Sequence, residues 1–168
     1  FGKTHFKKVA YVSFYNNQRM KQVFEADYDI ERIIMNINIE THTEVTPKDT
    51  LIIFDEIQEA PKALESLKYF CENMPQLHII CAGSLLGVSI KRDHISFPVG
   101  KVDRLQMYPM SFSEFLRADG ESAIYEGVQK YHITRELPVL YTGKLERELK
   151  YYYIVGGMPE VVAKWVET

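Results

Sequence analysis

The stretch that most constrains this chain is Leu51-Ile52-Ile53-Phe54-Asp55-Glu56-Ile57-Gln58. Large apolar residues run without polar alternation into two adjacent carboxylates. Such a run reads as a strand buried on both faces, as in a parallel sheet covered by helices. Acids at its carboxyl end occupy the edge where open α/β sheets bind ligands. Neighbouring carboxylates repel, and a hydrated Mg²⁺ is a common partner that relieves them. A solvated acidic turn after a buried strand fits the same eight residues, so the octapeptide alone leaves both readings open.

Bulk properties narrow the setting. A chain of 168 residues is long enough for one domain with a real core, or one domain and a small appendage. The net charge of −3 gives no bulk reason to expect nucleic acid or an anionic membrane as partner. No apolar run is long enough to span a bilayer and no signal peptide opens the chain. Cys71 and Cys81 lie in apolar surroundings and read as two buried free thiols, so the expected setting is a reducing cytoplasm.

Around the acidic strand, strands and helices alternate. Residues 9–14 form an apolar strand, and Asn16 and Asn17 end it and cap a helix with Met20, Val23 and Phe24 on its stripe. Asp29 caps the next helix, which carries Ile30, Ile33, Ile34 and Ile37 at helical spacing. Residues 41–50 are a polar loop. Pro61 opens a helix with Leu64, Leu67, Cys71 and Met74 on one face, and Pro75 stops it. Residues 77–82 are a second buried strand that ends in Gly83-Ser84. The Ser84 hydroxyl there either meets a phosphate or an attacking water, or simply caps the next short segment. Lys91, Arg92, Asp93 and His94 read as a solvated loop tip, with a phosphate-binding Arg92 as the alternative.

Residues 102–107 alternate apolar and polar, as a strand at a sheet edge does. Ser111-Phe112-Ser113-Glu114 is a capping box that starts a helix with Phe112, Phe115 and Leu116 on its face, and Asp119-Gly120 stops it. Beyond this the pattern is helical: 121–131, then 143–155 with Leu145, Leu149 and Tyr152 inward, then a break at Gly156-Gly157. A last helix starts at Pro159 and carries Val161, Val162, Trp165 and Val166. The order predicts an α/β fold: a parallel sheet flanked by helices over residues 1–118, followed by a small helical subdomain over 119–168.

Gly2-Lys3-Thr4 matches the tail of a phosphate-binding P-loop, and we read it as a chance match. The pattern needs another Gly five residues earlier and a strand before that. It must also open a long helix, yet the next strand begins at Val9, too soon for a helix and a turn.

In series, LIIFDEIQ at 51–58, IICAGSLLG at 79–87 and YYYIVGGMPEVV at 151–162, with FPVGKV at 97–102 and LQMYPMSFSEF at 105–115, resemble one family. It is the bacterial and archaeal P-loop ATPases of the AAA-like superfamily that carry a DUF4143 region after the ATPase domain. The resemblance covers essentially the whole chain and implies ATP and Mg²⁺ as ligands. It matches Asp55 to the Walker B aspartate, which holds Mg²⁺ through water, and Glu56 to the glutamate that activates the attacking water. Ser84 matches the sensor residue on the neighbouring strand. Gly156, Gly157 and Pro159 resemble a Gly-x-Pro turn in the lid of related ATPases, where backbone and proline ring approach the adenine. An ordinary helix–turn–helix connection fits the same turn.

The resemblance also implies what the chain lacks. Its first residues fall where the family has the end of the P-loop helix, so the Walker A loop and the strand before it are expected to be missing. That strand is central in the superfamily, so the sheet should have a gap or an exposed edge, covered by upstream residues or by self-association. Without the phosphate cradle, weak nucleotide binding is expected. The implied function is Mg²⁺-dependent ATP hydrolysis coupled to a conformational change in the intact protein, of which these residues carry the Walker B and sensor half, expected to be inactive alone. The alternative is a nucleotide-binding regulatory module without turnover. A nuclease-like part follows the DUF4143 region in such proteins and hints at a nucleic-acid role that these residues do not support.

Overall fold

The computed structural model describes residues 1–84, 98–130 and 139–168. They fall into two units, Phe1–Arg104 and Leu105–Thr168. In the first unit β1 (Lys8–Ser13), β2 (Thr50–Asp55) and β3 (His78–Cys81) form a parallel sheet in the order β1-β2-β3. The register sets Ala10 beside Ile52, Val12 beside Phe54 and Phe54 beside Cys81. Each crossover steps one strand in the same direction. Right-handed connections then put their helices on one face of the sheet. These helices are α2 (Gln18–Ala26), α3 (Ile30–Thr41) and α4 (Pro61–Asn73).

The period-2 alternation of the strands sorts residues accordingly. Ala10, Val12, Phe14, Ile52 and Phe54 are buried in one cluster with Met20, Phe24, Ile33, Ile37, Leu64 and Phe70 from the helices. The other face is more thinly covered: Leu51 is buried, but Ile53 is half-buried, Tyr11 53% exposed and Ile80 42% exposed. The expectation of burial on both faces of β2 holds at Leu51 and is corrected toward the carboxyl edge, where the second face is shallow. Among the described residues β3 pairs with β2 alone, so its outer edge carries no strand.

The helix signals act as their chemistry requires. Asn17 Oδ1 accepts from Met20 N at 3.1 Å, and Asp29 Oδ1 accepts from Glu31 N and Arg32 N. Pro61 occupies the first turn of α4, where its missing N–H costs nothing. The buried face of α4 is Ala63, Leu64, Leu67 and Phe70, and Cys71 is exposed. This corrects the expected place of Cys71, whereas Leu64 and Leu67 are buried and Met74 packs against the core as expected. Phe70 brings a large ring against Phe54, and the next residue then turns about 100° away. Cys81 is packed against the core, and its burial pushes the thiol up to about 12, so it stays protonated.

The strand expected over 102–107 does not form. Residues 103–110 have neither helix nor strand, and Leu105 and Met107 are 83% and 81% exposed. Alternation makes a strand only when the segment pairs with a neighbour, and these residues pair with none of the three strands.

The second unit is helical: α5 (Phe112–Ala118), α6 (Ser122–Lys130), α7 (Val139–Val155) and α8 (Pro159–Val166). Ser111 and Glu114 close the capping box in both directions, and Gly120 at φ 81° ends α5. Phe115, Leu116, Ile124 and Val162 are its buried apolar residues. Tyr152 Oη donates to Met110 O at 2.7 Å, and Trp165 Nε1 donates to Asp119 Oδ1 at 3.0 Å. On α7, Leu145, Leu149 and Tyr152 are half-buried, and the fully buried residue is Glu148. Its Oε1 accepts from Arg147 Nε and Nη2 at 3.0 and 2.8 Å, while Oε2 is buried without a hydrogen-bond partner.

Candidate functional site

All three strands run the same way, so their carboxyl ends meet at one edge. Asp55 is the last residue of β2, beside Ser13 at the end of β1. Tyr11 Oη donates to Asp55 Oδ2 at 2.5 Å across the shallow face. That bond favours the protonated phenol beside a carboxylate and raises the Tyr11 pKa, with desolvation adding to it. A polar groove of about 530 Å³ opens at the same end of β1, lined by Ser13, Tyr15, Asn17, Arg19 and Glu40 among others.

Glu56 turns the chain out of the strand. Its backbone is left-handed, φ 51° and ψ 44°, a region that costs a residue with a Cβ. Gln58 Nε2 donates to Glu56 Oε2. Two backbone bonds carry the β2–β3 ladder past the strand ends, Ala82 N to Phe54 O at 2.8 Å and Ile57 N to Ala82 O at 3.1 Å. They bring Gly83 against Gln58, and Ser84 follows in an exposed turn. Asp55, Glu56 and Ser84 thus belong to one carboxyl edge. Lys91, Arg92, Asp93 and His94 lie outside the described residues. Sequence reasoning missed Tyr11 and Gln58. Tyr11 was findable, because it sits on the β1 face that a neighbouring parallel strand shares with Asp55.

Gly2-Lys3-Thr4 sits at the opposite end of the sheet. It forms one turn, α1 (Gly2–His5). A Cβ on Gly2 would lie 3.1 Å from Val9 and 3.3 Å from Leu51, near the start of β1 and β2. Phe6 lies against His78 at the start of β3, with ring centroids 5.1 Å apart. Four residues of strand, about 13 Å, separate Leu51 from Asp55. The tripeptide is therefore at the amino edge, where it cannot cradle a phosphate shared with Asp55.

In the second unit each residue of the lid-like turn has a local task. Gly156, at φ 75°, takes the left-handed position that ends α7, its N–H donating to Tyr152 O at 2.8 Å. Gly157 meets backbone: Met110 N donates to its carbonyl at 2.6 Å, and a Cβ there would lie 2.2 Å from Met110 O. Pro159 opens α8. Gly157→Ala is expected to destabilise the protein by about 1–3 kcal/mol, since backbone cannot yield as a side-chain tip does. A denaturation midpoint unchanged from wild type would contradict this close approach.

A three-stranded parallel sheet with helices packed on it, whose central strand delivers adjacent acids to the carboxyl edge, is a P-loop-like α/β core. A family model described as an AAA domain matches residues 1–116, and the chain belongs to that family. Membership associates it with nucleotide binding. Comparisons with curated proteins and with solved structures gave no match. No helix of the described residues is long and apolar enough to cross a membrane.

Proposed function

We propose that this chain carries the magnesium and water side of a site that binds and hydrolyses ATP. The observation that carries the reading is the division of labour at the end of β2. Asp55 is anchored by Tyr11 through Oδ2, which leaves Oδ1 for a hydrated cation. Glu56 is turned away by its left-handed backbone and held by Gln58 instead. One acid suits a cation and the other a water.

The donor set fits Mg²⁺. No group of three or more His, Cys, Asp or Glu residues clusters among the described residues, as a protein cage would need. Mg²⁺ takes one or two carboxylates and fills its other positions with water and substrate phosphates. Bound with nucleotide, the ion would neutralise charge developing on the phosphate oxygens. Glu56 would orient the attacking water and accept its proton. Ser84 would contact the γ-phosphate or that water from the neighbouring strand. Gly156, Gly157 and Pro159 would supply a backbone surface for adenine. The open edge of β3 would take a further strand, from the same polypeptide or from a second copy.

Asp55→Ala tests the metal assignment. Magnesium-dependent nucleotide affinity of the full chain should fall about 10–100-fold, as for loss of a group that holds a metal through its ligands. Unchanged affinity, read by calorimetric titration with and without Mg²⁺, removes the cation role. Magnesium-dependent binding without turnover in the wild type would select a regulatory module over an ATPase.

A further inference from the structure

We infer that Gln58 is a positioning residue for the Glu56 carboxylate, and that Gly83 makes room for it to act. The inference rests on the reading of Glu56 as the group that activates water. A carboxylate can only accept, so the bond between the two side chains must come from the Gln58 amide nitrogen. This choice has a consequence at the other end of the amide. Gln58 Oε1 is buried and has no hydrogen-bond partner. An orphaned buried carbonyl is disfavoured, and turning the amide over would set oxygen against oxygen at Glu56. The orphan is tolerated because the nitrogen is committed to the carboxylate.

Gly83 explains how the amide fits. A Cβ at Gly83 would lie 2.3 Å from Gln58 Oε1 and 3.6 Å from Ile57 Cγ2. Any other residue at 83 therefore drives the amide out of its slot. The end of β3 sets the position of Gln58, and Gln58 holds Oε2 of Glu56. The other oxygen of that carboxylate is then presented in a fixed direction for a water. The left-handed backbone of Glu56 is the third part of the device, because it brings the side chains of residues 56 and 58 together.

Two substitutions disturb this by different means. Gln58→Met keeps length and volume and removes the donor. Gly83→Ala keeps the amide and displaces it, at low structural cost because the crowded atom is the tip of a flexible side chain. In the full chain with ATP and Mg²⁺, each should lower kcat about 10–100-fold, the usual effect of losing a group that orients a functional side chain. Affinity for Mg²⁺-ADP should stay within about twofold, since neither residue holds nucleotide. Gln58→Met added to Glu56→Gln should cost nothing more, because the two act as one unit.

A readout independent of turnover is hydrogen exchange of the Gln58 side-chain NH₂ in nucleotide-free protein. Exchange should be slow in the wild type and fast in Glu56→Ala and in Gly83→Ala. Normal kcat in both Gln58→Met and Gly83→Ala, additive losses with Glu56→Gln, or exchange indifferent to residue 56 would each overturn the inference. If Glu56→Gln is inactive while Gln58→Met is normal, only the positioning role falls. If Glu56→Gln turns over at the wild-type rate, the catalytic reading falls and takes this one with it.

Discussion

Replacing Glu56 by glutamine is expected to lower ATP turnover by about 10²–10³-fold while nucleotide binding persists. That range is what removing a general base costs, and it corresponds to about 3–4 kcal/mol in the barrier. The substitution is nearly isosteric. A glutamine at 56 can adopt the same left-handed backbone, and its carbonyl can still accept from Gln58 Nε2. What disappears is the charge and the capacity to take a proton. Steady-state hydrolysis by the full chain, with a parallel binding titration, separates this from misfolding. Wild-type turnover would remove Glu56 from the chemistry and return the acid pair to a solvated turn.

The backbone of Glu56 makes the two readings unequal. In a mere turn, the left-handed position after β2 would suit glycine, which adopts it without a Cβ clash. A glutamate there accepts strain, and strain of this kind gathers where a side chain is needed in one direction. Asn16 and His42 also have positive φ and are residue types that tolerate this region, whereas Lys48, at φ 69° in the turn before β2, bears the same strain as Glu56. Glu56→Gly would lose the carboxylate and relieve the strain together, which makes glutamine the cleaner probe.

Much of the first unit was legible because its signals are local. Asn17, Asp29 and Pro61 start helices through atoms within one turn of themselves, as Ser111 does in the second unit. The strands at 8–13, 50–55 and 78–81 announce themselves by apolar runs. What was misread depends on partners that the sequence does not name. Residues 102–107 have the alternation of a strand but pair with none of the three strands. The octapeptide looks buried on both faces, yet crossovers that all step one way stack α2, α3 and α4 on one of them. Cys71 shares the helical phase of Leu64 and Leu67, but Phe70 has the larger surface to bury and sets the rotation of α4.

The site divides in the same manner. The acid pair was legible because two carboxylates after an apolar run is a chemical oddity. Tyr11 becomes legible only once β1 is set parallel beside β2, and Gln58 was not legible, because a glutamine in a turn is ordinary until the fold puts it against a carboxylate. The buried Glu148 was unreadable for a related reason. An Arg-Glu pair on a helix normally faces water, and only packing reveals that here Arg147 does so while Glu148 is buried.

The largest expected effect on stability is at Phe54, one residue before the acids. Its side chain is fully buried, and its ring centroid lies 5.6 Å from those of Phe14 and Phe24 and 6.2 Å from that of Phe70. The Phe14 ring extends β1, Phe24 comes from α2 and Phe70 from α4, so one side chain joins the sheet to two of its helices. Phe54→Ala removes the shared member and leaves a cavity that four elements cannot all close on. The cost should be about 3–5 kcal/mol, a large part of the 5–15 kcal/mol typical of a domain. For a unit of this size that is a fall in melting temperature on the order of 10–20 °C. Phe54→Leu keeps most of the volume and should lose less than half as much. Calorimetry of the three proteins decides the matter, and a shift for Phe54→Ala below about 3 °C would show that the aromatic cluster is not what holds β2, and with it Asp55 and Glu56, in place.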